Sequence, residues 1–372
     1  MGWLIFLFIA VAFLAYANGA NDNFKGVATL FGSHTTNYKK ALLWATGTTL
    51  AGALCSVLLA EGLVKTFSGK GLVPPEIAAS TTFALAVALG AGLTVIIATV
   101  IGFPISTTHS LTGALTGAGL VACGAELNFG ALGKSFFIPL LASPLIALVL
   151  AGGLYPFMKW IRDKLGITKK WVICTVSPAA LAGAGNTGVD MAVAVAPEKE
   201  TAPPAESSES GDTMRVEQYD GEVLGMQCQS VLDTAHFASA GMVSFARGLN
   251  DTPKIVALLL VANAVGVHWG LLAVGIAMAI GGLLNARKVA EKMSLKITPM
   301  SHGQGFTANV VTGFLVVVAS RMGVPVSTTH VSCGSLFGIG ASGKSGDMKV
   351  ISEIILSWVL TLPVGALAAG LA

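Results

Sequence analysis

The residues best suited to chemistry stand in one hexapeptide, Pro104-Ile105-Ser106-Thr107-Thr108-His109, which recurs as Pro325-Val326-Ser327-Thr328-Thr329-His330 with a single apolar exchange. Both copies continue as Gly-x-Leu-x-Gly-x-Gly, at 113–119 and 334–340, and Ala98–Gly102 lines up with Ala319–Gly323 at the same offset of 221 residues. Self-similarity this extended marks an internal duplication. A second pair lies upstream: Gly19-Ala20-Asn21-Asp22-Asn23-Phe24-Lys25 and Gly248-Leu249-Asn250-Asp251-Thr252-Pro253-Lys254, both reading Gly-x-Asn-Asp-x-x-Lys. Asn-Asp precedes the hexapeptide proline by 83 residues in the first half and 75 in the second, an ordinary loop difference between repeats.

Each motif has its own physical logic. Proline biases the preceding residue away from helix, so the incoming segment ends or kinks there. The Ser-Thr-Thr that follows is suited to cap a new helix, leaving backbone N–H groups and hydroxyls directed at one spot. Such a helix start attracts anions, and two of them brought together can enclose a tetrahedral oxyanion. Hydroxyl and carbonyl oxygens beside a carboxylate also suit a hard cation such as Na⁺. Asp22 and Asp251 carry the carboxylates, and an ionised carboxylate within membrane-spanning sequence defaults to a functional reading. The structural alternative is that each pairs with the lysine three residues on, Lys25 or Lys254, along one helical face. Asn and Asp also favour unwound backbone, as a broken helix at mid-membrane requires. His109 and His330 admit two readings, proton shuttle or anion contact against hydrogen-bonded structural residue. Arg247 and Arg321 are further intramembrane candidates, or else helix-end residues whose charge reaches the interface.

The elements that must position these residues are membrane helices. The chain of 372 residues is 53% hydrophobic and only 11% charged, against roughly a quarter charged in soluble domains. Forty-five glycines fit close helix packing in a bilayer. Between Ala196 and Glu222 stand eight acids and two bases, so the remainder holds 20 bases against 11 acids, an excess of +9. That excess is what cytoplasmic loops need and gives no sign of a nucleic-acid partner. The five cysteines are scattered without metal-ligand spacing and read as small buried hydrophobes. The N-terminal apolar run ends at Ala15-Tyr16-Ala17, but no basic residue precedes it, which disfavours a cleaved signal peptide. Apolar spans near 41–60, 81–103, 110–123 and 136–155, and again over 255–284, 306–320 and 349–371, approach the length needed to cross a bilayer. Those after each hexapeptide, 110–123 and 331–342, are short, and short Gly-interrupted segments in matching halves point to a transporter's binding site. The division that follows is a first transmembrane repeat over 1–155, a central cytoplasmic linker over 156–230 with a basic run and an acidic Pro/Ser-rich loop, and a second repeat over 231–372.

The four motif copies, in this order, resemble the PiT family of inorganic phosphate transporters, most closely a bacterial sodium-coupled member. The likeness covers both halves and leaves out the linker. It implies an all-α integral membrane protein of two homologous repeats with inverted topology, broken helices and helical hairpins, with about ten to twelve membrane segments. It implies termini facing outward, a central loop in the cytoplasm, a multi-pass protein of the cell (inner) membrane, and a homodimer. The function it implies is import of inorganic phosphate by sodium-coupled symport with alternating access, and no organic cofactor. By position, Asp22, Asn23, Ser106, Thr107, Thr108, Asp251, Thr252, Ser327, Thr328 and Thr329 would surround phosphate. Asn21, Asp22, Thr108, Asn250, Asp251 and Thr329 would hold sodium, with Lys25, Lys254, His109 and His330 as accessory residues. The chain departs from the family's frequent Asn-Asp-Val-Ala-Asn, reading Asn21-Asp22-Asn23-Phe24-Lys25 and Asn250-Asp251-Thr252-Pro253-Lys254 instead.

Electrostatics favours a symporter, because a divalent anion entering a negative-inside cell works against roughly 2.3 kcal/mol per charge per 100 mV. Proton-coupled phosphate symport is the first alternative and a sulfate permease the second. Sulfate carries no proton at neutral pH, so a carboxylate that accepts from the phosphate hydroxyl would reject it. An intramembrane Ser/His/Asp hydrolase is disfavoured by the duplication, since a nucleophile is needed once. A passive channel is the remaining class, and accumulation against a gradient would exclude it.

Overall fold

A computed structural model of the chain describes residues 2–175, 193–194, 213–223, 225–260, 267–295, 300–343 and 348–372. The first half supplies α1 (Gly2–Asp22), α2 (Tyr38–Leu59), α3 (Glu61–Phe67), α4 (Thr81–Val100), α5 (Thr107–Cys123) and α6 (Ile138–Lys164). The second supplies α7 (Cys228–Leu260), α8 (Val267–Asn285), α9 (Arg287–Leu295), α10 (His302–Arg321), α11 (Thr328–Gly343) and α12 (Met348–Leu371). The order of elements matches across the halves, α1 with α7 through α6 with α12. As the sequence suggested, the apolar N-terminal run is a helix that continues into Asn21-Asp22.

The halves interlock. Within each, the first helix packs on the fourth, α1 on α4 and α7 on α10; across them, α1 packs on α8 and α7 on α2. The helices that follow the hexapeptides cross over too, α5 onto α12 and α11 onto α6. Small residues permit these crossings, as expected where lipid-like surroundings give no hydrophobic drive between helices. A Cβ on Gly19 would stand 1.9 Å from the Met278 carbonyl oxygen of α8, and one on Gly248 would stand 2.0 Å from the Thr49 carbonyl of α2. The first residue of the Gly-x-Asn-Asp motif is thus a packing residue in both halves.

Among the described residues six helices are long and apolar enough to cross a membrane, or seven if the bent pair α2 and α3, which meet at 83°, counts as one span. The reading of ten to twelve segments exceeds this, for a chemical reason. The 33-residue α7 carries Arg247, Asn250, Asp251 and Lys254, and α5 and α11 have only 17 and 16 residues. Part of the central linker is ordered: β1 (Thr168–Thr175) pairs antiparallel with β3 (Thr213–Asp220) and with β2 (Val193–Ala194). The acidic Pro/Ser-rich stretch read as flexible linker therefore ends in a strand. Its run Thr213-Met214-Arg215-Val216-Glu217 alternates polar and apolar residues at the strand period. The rest of that linker stretch, residues 197–212, lies outside the described residues, as do residues 176–192 and 195–196.

Candidate functional site

Helix α4 ends at Val100, the turn passes through Gly102 at φ +79°, and α5 starts at Thr107. The second half repeats this with Gly323 at φ +70° and α11 starting at Thr328. A positive φ is cheap only for glycine, which explains the residue type at both turns. Ser106 Oγ accepts from the His109 N–H at 3.1 Å and Ser327 Oγ from the His330 N–H at 3.2 Å, so both serines cap helices as their sequence context predicts.

Extended backbone before each cap leaves carbonyls without helical partners, and unpaired carbonyls away from water are costly. The Asn-Asp motifs satisfy them. Asn21 Nδ2 donates to the Phe103 carbonyl at 3.0 Å and Lys25 Nζ to that of Ile105 at 2.6 Å. In the second half Asn250 Nδ2 and Lys254 Nζ donate to the Val326 carbonyl at 3.1 and 2.9 Å. The threonines bridge the halves: Thr108 Oγ1 donates to Val326 O at 3.2 Å and Thr329 Oγ1 to Ile105 O at 3.1 Å.

Both aspartates pair with the lysine three residues on, which was the structural alternative for these carboxylates. Lys25 donates to Asp22 Oδ1, and Lys254 to Asp251 Oδ1 at 3.2 Å. Each ammonium also reaches a threonine of the opposite hexapeptide, Lys25 to Thr329 Oγ1 at 2.8 Å and Lys254 to Thr108 Oγ1 at 2.7 Å. Lys25 further contacts Asn21 Oδ1 at 2.8 Å.

The carboxylates converge on Asn18. Its Nδ2 lies 3.0 Å from Asp22 Oδ2, 3.0 Å from Thr107 Oγ1 and 3.2 Å from Asp251 Oδ2. An amide has two protons for these three oxygens. Thr107 Oγ1 donates to Asp22 Oδ2 at 2.9 Å, and Arg247 holds Asn18 Oδ1 at 2.7 Å through Nη2 while reaching Asn23 and Thr49 through Nη1. Lys25, Lys254, Arg247, Asp22 and Asp251 are all buried, and their formal charges sum to +1. Arg247 Nε has no hydrogen-bond partner among the described residues.

Most of the sequence-assigned residues therefore meet: Asn21, Asp22, Thr107, Thr108, Asn250, Asp251, Thr328 and Thr329 belong to one network, with Asn250 Nδ2 reaching Thr328 Oγ1 at 3.3 Å. Two turn aside. Thr252 Oγ1 faces Met278 Sδ at 3.6 Å, and Asn23 Nδ2 donates to Thr46 at 2.8 Å, touching the network only through Arg247. The rings of His109 and His330 lie 4.1 Å apart between centroids and tilted by 42°, and His330 stacks on Trp358 at 3.8 Å. Arg321 is exposed at the end of α10. Sequence reasoning missed Asn18. The signal was its place four residues before Asp22 on one helical face, at the position that matches Arg247 in the second half. It also missed Thr99 and Ser320, equivalent across the duplication, which bond the side chains of Asn21 at 2.9 Å and Asn250 at 3.2 Å.

A cavity of about 530 Å³, lined by Gly102, Lys288, Lys292, Lys349 and Glu353 among others, opens beside this network. Lys292 Nζ stands 3.5 Å over the ring of Phe103, whose carbonyl Asn21 holds.

The Phosphate transporter family matches residues 18–369. The chain is 28% identical to a "Putative phosphate permease" of Thermococcus kodakarensis over 98% of this chain and 95% of that one. It is 26% identical to a "Probable low-affinity inorganic phosphate transporter" of Rhizobium meliloti over 98% and 93%. The solved structure of a sodium-dependent phosphate transporter superposes with a TM-score of 0.76 at 22% identity, covering 100% of this chain and 98% of that one, and so has the same fold. With a family match across nearly its whole length and a motif network buried among membrane helices, this chain is a multi-pass membrane protein that belongs to the Phosphate transporter family, a family of transporters and not of enzymes.

Proposed function

We propose that the protein imports inorganic phosphate by sodium-coupled symport, the anion binding where the starts of α5 and α11 face one another. The observation that carries this reading is the crossed contact of Lys25 with Thr329 and Lys254 with Thr108, which joins both halves at one buried polar centre. Its net positive charge and two helix starts suit a phosphate anion. Thr107, Thr108, Thr328 and Thr329 are the hydroxyl donors, with Ser106 and Ser327 holding the helix starts in place.

Sodium supplies the positive charge that a divalent anion needs to enter a negative-inside cell. Its ligands are the oxygens of Asn21, Asp22, Thr108, Asn250, Asp251 and Thr329, a hard-donor set suited to a hard cation. The phosphate permease relatives and the sodium dependence of the structural neighbour support this assignment. Transport proceeds by alternating access between two repeats of inverted topology, which the matched element order and exchanged packing partners favour. The cell membrane and a homodimer complete the reading carried by the family resemblance.

The test is phosphate uptake into proteoliposomes. An inward Na⁺ gradient is expected to accumulate phosphate against its own gradient, with excess sulfate competing weakly. Uptake that ignores Na⁺ and follows a proton gradient would refute sodium coupling and leave phosphate transport standing.

A further inference from the structure

The lysines of the two Asn-Asp motifs sit where a cation would. The Lys25 ammonium is surrounded by Asn21 Oδ1 at 2.8 Å, the Ile105 carbonyl at 2.6 Å, Thr329 Oγ1 at 2.8 Å and the Asp22 carboxylate. Lys254 lies among Thr108 Oγ1 at 2.7 Å, the Val326 carbonyl at 2.9 Å and Asp251 Oδ1 at 3.2 Å. A carboxylate, a backbone carbonyl, a threonine hydroxyl and, for Lys25, an amide oxygen form the donor set that hard cations take. Both cages draw on both halves of the chain, and both lysines are buried. A buried ammonium needs only its carboxylate and some further acceptors. Here every acceptor within reach is also one a sodium ion would use.

We propose that Lys25 and Lys254 are tethered cations that hold the two cages closed to sodium until phosphate draws them out. This inference rests on the sodium-coupled phosphate reading and deepens it. With the ammoniums in place, a sodium ion meets an occupied oxygen cage and an adjacent positive charge. A phosphate anion at the starts of α5 and α11 lies beside Thr108 and Thr329, the hydroxyls each lysine already touches, so a change of side-chain torsions moves each ammonium from carboxylate to phosphate. The vacated carboxylates of Asp22 and Asp251 then face sodium. Neither ion is well held alone, so the cation is not carried without the anion. No bond is made or broken; at each cage a sodium ion takes the place that the ammonium leaves for phosphate.

Linkage makes this measurable, because phosphate must raise sodium affinity by the same factor that sodium raises phosphate affinity. The experiment is equilibrium binding of radioactive Na⁺ to the purified full chain in lipid nanodiscs, with and without inorganic phosphate. In the native protein, saturating phosphate is expected to lower the half-saturating Na⁺ concentration by about tenfold or more. The Lys25→Asn/Lys254→Asn variant is expected to bind Na⁺ without phosphate, with phosphate changing that affinity less than about twofold. The single variant Lys25→Asn should fall between. Native protein that binds Na⁺ equally well with and without phosphate overturns the exchange and leaves sodium coupling standing; this arm needs no variant to fold. A double variant that keeps the full phosphate effect overturns it as well. If the native protein binds phosphate and never Na⁺, the sodium reading fails and the exchange falls with it.

Discussion

Asp22 and Lys25 are each tolerable in the protein interior only because of the other. Removing one partner of a buried ion pair leaves an uncompensated charge and typically costs about 3–5 kcal/mol, whereas removing both can be nearly neutral. Lys25→Met should therefore lower thermal stability sharply, by about that amount, and Lys25→Met/Asp22→Leu should recover most of it while abolishing phosphate transport. Equal destabilisation by the single and double variants in a thermal unfolding series would show that the pair is not coupled. Arg247 is a different case. It reaches three side chains at once, Asn18, Asn23 and Thr49, with a planar fork that a lysine cannot reproduce. Arg247→Lys is expected to cut the phosphate uptake rate about tenfold or more, with the protein still folded by circular dichroism. A near-normal rate would remove Arg247 from the positioning of Asn18.

At the scale of elements, the two broken connections between α4 and α5 and between α10 and α11 do most to shape the site. They present carbonyls that a continuous helix would have consumed; the Asn-Asp-x-x-Lys segment of the same half and a threonine of the other half answer them. The same segments begin with a glycine set by packing and not by ligand chemistry. Gly19→Ala would drive a methyl group into the Met278 carbonyl, since its Cβ would lie 1.9 Å from that oxygen, whereas Gly47 of α2 has nothing within 4 Å of such a Cβ. Overpacking of this kind costs about 1–3 kcal/mol, and the expected loss lies at the upper end because the obstacle is backbone. Gly47→Ala should be neutral or gain up to about 1 kcal/mol from helix propensity. Comparing the two variants by thermal unfolding tests whether the α1–α8 crossing is as close as described.

At the scale of the whole molecule the two halves are alike in order and unlike in closure. Gly62 at the start of α3 packs backbone to backbone on Gly323, with 2.9 Å from its would-be Cβ to the Gly323 Cα. The equivalent turn at Gly102 packs less closely on the start of α9, with 3.5 Å from its would-be Cβ to the Lys288 Cβ, beside the cavity lined by Lys288, Glu291, Lys292, Lys349 and Glu353. Basic residues favour the cytoplasmic side, so under the proposed alternating access the tighter of these two contacts lies at the α3 face and the looser one toward α9. Gly62→Ala would wedge the α3 face and shift the population toward the opposite conformation. The expected result is a lower half-saturating external phosphate concentration in uptake, with a reduced maximal rate; an unchanged value would mean this contact does not gate.

The sequence by itself determined the membrane class, the duplication, the capped helix starts and the identity of most polar residues at the centre. These are local matters of composition, motif identity and short-range backbone preference: Ser106 caps because of what precedes and follows it, and Asp22 stands out because carboxylates are rare in apolar sequence. Only the tertiary structure decided which groups meet. Nothing within 83 residues of Lys25 announces Thr329, and nothing near Thr108 announces Lys254. Asn18 is unremarkable until α1 and α7 are brought together and Arg247 holds it, and Thr252, though it stands beside Asp251, is turned toward Met278 by the facing of α7. The physical reason is that a buried polar group is defined by its partners, and here those partners come from other helices of the same half and from the other half of the chain, where helix crossing and not sequence spacing sets the distance.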